Sequence, residues 1–164
     1  MKKFLVDYAT FLSGTRSLAS TLGNVGLVLT LPRGGMSFAH ILSLECGCAC
    51  KMLDLDIKNI DLESYIERAV ENKGHIVIAD DSIGTGATYE RIKRLMELMP
   101  VTWVYAVFYV DGAFNSEDKE IKYVMKTNQW VVLPYEDPEL IEVGNQNSLF
   151  RNGTDPYQAT RRKG

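Results

Sequence analysis

The stretch Ile76-Val77-Ile78-Ala79-Asp80-Asp81-Ser82-Ile83-Gly84-Thr85-Gly86-Ala87-Thr88 constrains this chain more than any other. Four apolar residues run into two adjacent carboxylates, a Gly/Thr-rich loop follows, and a helical pattern runs from Tyr89 to Leu98. An unbroken apolar run reads as a parallel strand buried on both faces. The carboxyl end of such a strand opens on the crevice where open α/β sheets bind ligands. Two Asp there accept hydrogen bonds from vicinal hydroxyls or hold a metal. Gly84 and Gly86 let backbone N–H groups approach an anion, and the helix that follows adds its positive end. Such a site suits a phosphorylated sugar.

Other segments supply the rest of an α/β pattern. Val6–Leu22 reads as a helix closed by Gly23-Asn24. Val25–Leu31 is an apolar strand, Pro32-Arg33-Gly34-Gly35 a loop, and Met36–Glu45 a second helix. Ala49–Ile57 alternates and reads as a strand. Asp61-Leu62-Glu63-Ser64 opens a helix that Lys73-Gly74 closes. The strand Ile76–Ala79 comes next, with the Asp pair in the loop after it. Past Pro100, Val101–Val110 is a strand rich in β-branched and aromatic residues. Asp111-Gly112 reads as a turn, and Tyr123–Met125 and Trp130–Leu133 as short strands. Strands alternating with helices predict a mainly parallel open sheet flanked by helices. At 164 residues, with no repeat and no linker, the chain reads as one domain over 1–164. The final residues, from about 145 to 164, read as a flexible tail, with Arg161-Arg162-Lys163 solvated.

Charge and composition exclude some functions. A net charge of -3 offers no broad surface to nucleic acid or to an anionic membrane. No apolar run reaches the roughly 18 residues of a membrane span, and Met1-Lys2-Lys3-Phe4-Leu5-Val6-Asp7 meets a charge too early for a secretory leader. A cytoplasmic location is expected. Cys46, Cys48 and Cys50 lack the spacing of common zinc sites and read as small buried thiols that would share one face of a strand. His40 and His75 read as structural or surface histidines.

Two strand-to-helix loops carry the chemistry. Leu31-Pro32-Arg33-Gly34-Gly35-Met36 offers a guanidinium and close backbone N–H groups, which suits a diphosphate. The Asp80–Thr88 loop suits the other end of the same ligand. Neither is a P-loop, since G-K-[ST] is missing, and Gly84-x-Gly86 lacks the third glycine of a dinucleotide fingerprint.

Ile76–Thr88 resembles the 5-phosphoribosyl-1-diphosphate (PRPP) motif of the type I phosphoribosyltransferases: four apolar residues, two acids, and a loop ending Thr-Gly-x-Thr. Leu31–Gly35 is similar to the diphosphate loop of that family, Arg-Gly-Gly in its xanthine–guanine branch. Phe4–Leu22, with Arg16-Ser17-Leu18-Ala19-Ser20, resembles the N-terminal helix of that branch. Trp130-Val131-Val132-Leu133-Pro134-Tyr135-Glu136 resembles its hood segment. The likeness spans about residues 1–140, in family order.

The resemblance implies the type I fold with a small hood, about residues 111–140. It implies that Asp80 and Asp81 contact the ribose hydroxyls of PRPP. Gly84, Thr85, Gly86, Ala87 and Thr88 would wrap the 5-phosphate, while Arg33 and Gly34 meet the diphosphate; Ser82, Ile83 and Gly35 complete the PRPP-binding set. A non-proline cis peptide would fall near Pro32-Arg33. Trp130, Val131 and Val110 would line the base. Mg²⁺ would arrive on the ligand's oxygens with waters retained and no protein ligands of its own. The implied reaction joins a nucleobase nitrogen to the ribose C1 and releases diphosphate, as in purine salvage, with Arg33, Asp80 and Asp81 as the catalytic groups. A homo-oligomer, dimer or tetramer, is expected.

Two positions depart from the family's 6-oxopurine pattern. Gly84 stands where an Asp would face the purine N7, and Val110, followed by Asp111, where a Lys would read O6. Adenine and orotate enzymes also lack that Asp. The lid that covers the site in the family has little room, because only Lys58-Asn59-Ile60-Asp61 separates the expected strand from the next helix. A PRPP- or nucleotide-binding regulator that has lost turnover, or transfer to an unusual acceptor, therefore stands beside the enzyme reading.

Overall fold

β4 (His75–Ile83) is the centre of the molecule, hydrogen-bonded on one side to β2 (Val25–Thr30) and on the other to β5 (Trp103–Asp111). β3 (Ala49–Met52) lies outside β2 and β6 (Ile121–Thr127) outside β5, giving the order β3-β2-β4-β5-β6. All four pairings are parallel. A separate parallel pair joins β1 (Lys3–Leu5) to β7 (Trp130–Val132). The computed structural model describes residues 3–32, 34–55, 62–71, 74–115 and 117–136.

Helices cover both faces of the sheet, which is why its inner strands are apolar throughout. α1 (Tyr8–Ala19) and α2 (Met36–Cys46) pack on one face, where Phe11, Phe38, Val28, Val77, Ala79, Ala106 and Phe108 form one core. α3 (Leu62–Glu71) and α4 (Ala87–Met96) lie on the other, over Leu27, Leu29, Ile76, Ile78, Tyr105 and Val107. Alternate residues of each strand feed opposite cores, as a pleated strand requires. The expected parallel α/β architecture is the observed one, and among the described residues no helix is long and apolar enough to cross a membrane.

Several boundaries differ from those expected. α1 begins at Tyr8 rather than Val6, because Lys3–Leu5 pair with β7 and Asp7 caps the helix, its Oδ1 accepting from the Thr10 N–H at 2.6 Å. That bond holds the Asp7 carboxyl below its usual range. β1 gave no periodic signal, since all of its residues are exposed. β3 stops at Met52, with Leu53, Asp54 and Leu55 outside any strand, and the expected four-residue connection over 58–61 lies outside the described residues. β4 continues through Asp80, Asp81 and Ser82 to Ile83. Its neighbour β5 extends equally far, pairing Val107 with Asp80 and Tyr109 with Ser82. The acid pair is therefore in the strand, not in the loop after it.

The expected hood range divides: β6 joins the main sheet, and β7 pairs with β1. Cys46 ends α2, so the cysteines do not share one strand face. All three thiols are half-buried and free, and burial pushes Cys48 up to about 11. His40 is exposed on α2. His75 is half-buried at the start of β4, where burial pulls it below the usual imidazole range. Among the described residues no peptide is cis. The expectations at Arg33, Asp56-Ile57, Asp61, Lys73 and the tail 145–164 lie outside the described residues.

Phe11 joins α1 to β5 and to the segment after β7. It is fully buried, with ring centroids 4.9 Å from Phe108 and 5.6 Å from Tyr135. Phe11→Ala is expected to lower the unfolding free energy by about 3–5 kcal/mol, measured by urea denaturation.

Candidate functional site

Because the five strands are parallel, their carboxyl ends share one edge of the sheet, the usual place for a ligand crevice. β4 brings Asp80 and Asp81 there. Consecutive strand residues point to opposite faces, so the two carboxylates diverge. Asp80 points with Ile76 and Ile78 toward the α4 side, where its Oδ2 accepts a hydrogen bond from the Tyr105 hydroxyl at 2.9 Å. Its Oδ1 accepts from the Asp81 N–H at 3.0 Å. Asp81 points the other way, and its Oδ1 accepts from Ser82 Oγ at 3.2 Å.

The β2–α2 loop lies directly against this pair. A Cβ on Gly34 would stand 2.2 Å from Asp81 Oδ2, and one on Gly35 would stand 2.6 Å from the Ala79 carbonyl oxygen. At Gly35 the obstacle is backbone, so only glycine allows that approach, and at Gly34 any side chain would have to displace the Asp81 carboxylate. The Tyr135 hydroxyl donates to the Gly34 carbonyl at 3.1 Å, fastening the segment after β7 to the same loop.

On the far side of the acids, residues Ser82–Tyr89 and Tyr105 line a depression of about 60 Å³, near the size of a phosphate group. Gly86 has φ of +85°, a conformation that side chains rarely adopt, and a Cβ there would also strike the Phe114 ring at 2.3 Å. The N-cap Gly86 has no side chain, Thr85 Oγ1 accepts from the Ala87 N–H at 3.4 Å, and the first residues of α4 line the depression, which brings the positive end of the helix to it. The β5–β6 loop braces this wall. Asp118 Oδ2 accepts from the Tyr89 hydroxyl at 2.7 Å and from Lys93 Nζ at 2.8 Å, and Lys126 Nζ donates to the Phe114 carbonyl at 2.8 Å.

The site is acidic and desolvated. Burial first, and then the Asp81 charge, push Asp80 up to about 7, although the Tyr105 bond opposes the rise. Burial also lifts Asp81. Burial and then Asp81 raise Tyr135, and burial is the largest cause at Glu136, where Asp81 adds to it. Paired, buried carboxylates of this kind favour a cation or hydroxyl donors. Their hard oxygens suit Mg²⁺, yet among the described residues no cluster of three or more His, Cys, Asp or Glu forms a metal site. A Mg²⁺ ion there would depend on oxygens and waters brought by the ligand.

Gly34, Gly35, Asp80, Asp81, Ser82 and the loop Gly84–Thr88 thus meet in one crevice, with Ile83 buried beneath it. Arg33 lies outside the described residues. Val110 and Val131 are buried in the two cores, with 0% and 1% of their surface exposed, and so have no side-chain surface to offer a base. Trp130 is half-buried on β7, and its buried indole Nε1 has no hydrogen-bond partner among the described residues. Within the expected strand Val101–Val110 nothing in the sequence marks Tyr105, because alternation reports a side chain's face and not its partner. Phe114 and Asp118 lay in a loop with no motif to mark them.

No family model and no curated protein matches the sequence. Solved structures do. A purine phosphoribosyltransferase from Pyrococcus horikoshii superposes with a TM-score of 0.64 at 20% identity, covering 84% of this chain and 95% of that one. A xanthine-guanine-hypoxanthine phosphoribosyltransferase from Helicobacter pylori gives 0.60 at 17%, over 89% and 97%. A hypothetical protein from Neisseria gonorrhoeae with bound ppGpp gives 0.66 at 14%, over 88% and 94%. The chain has the type I phosphoribosyltransferase fold, as its motifs implied.

The buried acid pair has a cost in the free protein. An unfolded Asp80 ionises near 3.8, whereas the folded one keeps its proton to about 7. The unfolded state thus loses its proton first, and stability falls as pH rises between these values. Asp80→Asn is expected to raise the melting temperature of the free protein at pH 8 by several degrees, with the gain gone by about pH 4, as scanning calorimetry across that range would record.

Proposed function

We propose that this protein is a PRPP-dependent phosphoribosyltransferase acting on a nucleobase. The observation that carries the reading is the contact of the Gly34-Gly35 loop with the Asp80-Asp81 pair, beside a phosphate-sized depression at the start of α4. One ligand with a diphosphate, vicinal hydroxyls and a terminal phosphate would meet all three features in that order. The fold shared with purine phosphoribosyltransferases supports the same reading.

In this reading the residues divide the work by position. Asp80 and Asp81 accept hydrogen bonds from the ribose hydroxyls. Backbone N–H groups and the hydroxyls of Thr85 and Thr88 hold the 5-phosphate at the α4 N-terminus. Arg33, with the backbone of Gly34 and Gly35, holds the diphosphate. Mg²⁺, when bound through the ligand's oxygens and water, supplies charge neutralisation of the leaving group. A base nitrogen gives its electron pair to the ribose C1, and the C1–O bond breaks. Diphosphate leaves with that bond's electrons, and the base gives up its ring proton to water. The protein aligns the reactants, excludes water and stabilises the departing charge. Trp130 is the base platform that remains, since Val110 and Val131 are enclosed. Such an enzyme would work in the cytoplasm as a dimer or tetramer, with neither nucleic acid nor membrane as partner.

A second reading has its own support. Gly84 stands where the resemblance would place an Asp for 6-oxopurine readout, and the protein from Neisseria gonorrhoeae with the same fold carries ppGpp. A nucleotide-binding regulator would keep the phosphate and ribose contacts without turnover.

Titration calorimetry with PRPP and Mg²⁺ tests the shared part of both readings. Wild type is expected to bind, and the double variant Asp80→Asn, Asp81→Asn to bind at least 100-fold more weakly, about 3 kcal/mol by the usual conversion. Equal affinity would refute the site. Diphosphate release across a panel of purine and pyrimidine bases then separates the readings: release with one base identifies the enzyme and its acceptor, and silence with all of them leaves the regulator.

A further inference from the structure

We infer that Tyr105 is a positioning residue whose buried hydroxyl aims Asp80 at the ligand and keeps it an acceptor. The inference rests on Asp80 being the hydroxyl-binding carboxylate proposed above. Tyr105 stands in β5 opposite Ile78, two residues before the partner of Asp80, so both side chains share the α4 face of the sheet. The ring is fully buried and packs against Tyr89 with centroids 5.3 Å apart. A phenylalanine would fill that space equally well. What only tyrosine supplies is the hydroxyl, which a buried site must give a partner, and the partner is Asp80 Oδ2 at 2.9 Å.

The Asp81 N–H on Oδ1 and the Tyr105 hydroxyl on Oδ2 hold the two oxygens of Asp80 from different strands. The carboxylate is thereby locked in one rotamer. Each oxygen keeps a further lone pair for a ligand hydroxyl.

The second role concerns charge. Asp80 is desolvated and adjoins Asp81, and both conditions favour the protonated form. A protonated Asp80 would present a donor where the ligand brings donors. Among the described residues the titratable groups that act on it are Asp81 on its own strand and Tyr105 on β5; Tyr135 of the segment after β7 feels its charge, while Gly35 brings only backbone. Of these, Tyr105 donates to the carboxylate and favours its charged form. Losing the donor would move ionisation to higher pH.

Carbon-13 NMR titration of the aspartate carboxyls in the full chain, with Asp80→Asn to assign the Asp80 signal, tests this without any ligand. Tyr105→Phe is expected to raise the Asp80 midpoint by about one pH unit, the worth of one buried hydrogen bond to a charged group. PRPP affinity at pH 7 should then fall at least about five-fold and recover in part by about pH 9, because the ionised fraction returns with pH while the lost rotamer lock does not. A residue that only packs would weaken binding equally at every pH. As a second variant, 3-fluorotyrosine placed at 105 alone keeps the ring and strengthens the donor, so it should move the midpoint downward even if Tyr105→Phe does not stay folded. An Asp80 midpoint that neither variant moves would overturn the inference. Should the midpoint move while wild type binds no PRPP at any pH, the role of Tyr105 stands and the ligand assignment fails.

Discussion

The site depends on β4 staying paired with β5 beyond the end of β2, which matches it only as far as Ala79, whereas β5 continues to Ile83. A strand that ended with its apolar run at Ala79 would release the two acids into a loop, where their directions would be unconstrained. Pairing with β5 as far as Ile83 instead makes the pleat decide their orientation. Asp80 goes to the α4 side and Asp81 to the side of the β2–α2 loop. Two adjacent residues thereby serve two different neighbourhoods.

Close approach of backbone to side chain builds the rest. Gly34 admits the Asp81 carboxylate, and Gly86 admits the Phe114 ring. Each contact joins elements distant in sequence: the first closes the crevice between β2 and β4, and the second seats the β5–β6 loop over the start of α4. Tyr135, bonded to the Gly34 carbonyl and stacked edge-on against Phe11, ties the same crevice to the first core. Packing energy from one face of the sheet is in this way coupled to the geometry of the ligand site. The acid pair itself opposes stability once ionised, a usual arrangement where binding groups are held ready for a charged ligand.

Much of this was legible in the chain. The apolar runs of β2, β4 and β5 could belong only to strands covered on both faces, and the intervening helical patterns then required parallel order. The diphosphate-loop and PRPP motifs lay in the right order on two of those strands, and the superposition with phosphoribosyltransferases agrees with the fold they implied. Weaker signals failed where burial gave no pattern. β1 is exposed, so no periodicity announced it, and the alternation after Cys50 ran past the true end of β3 at Met52. Val110 was assigned to the base by position, yet a single register step in β5 decides whether such a residue meets the ligand or the core, and it meets the core.

What the sequence determined by itself is local: strand, loop and helix identity around Asp80-Asp81, and the residue types able to hold a phosphate and hydroxyls. Hydrophobic run length and glycine placement are properties of neighbours in the chain, so they can be read there. Only the tertiary structure decided which groups stand against the acids. Tyr105 is 25 positions from Asp80 and Tyr135 is 101 from Gly34, and their hydrogen bonds exist because sheet register and the docking of β7 on β1 bring them together. Those are long-range pairings, and no local pattern encodes them.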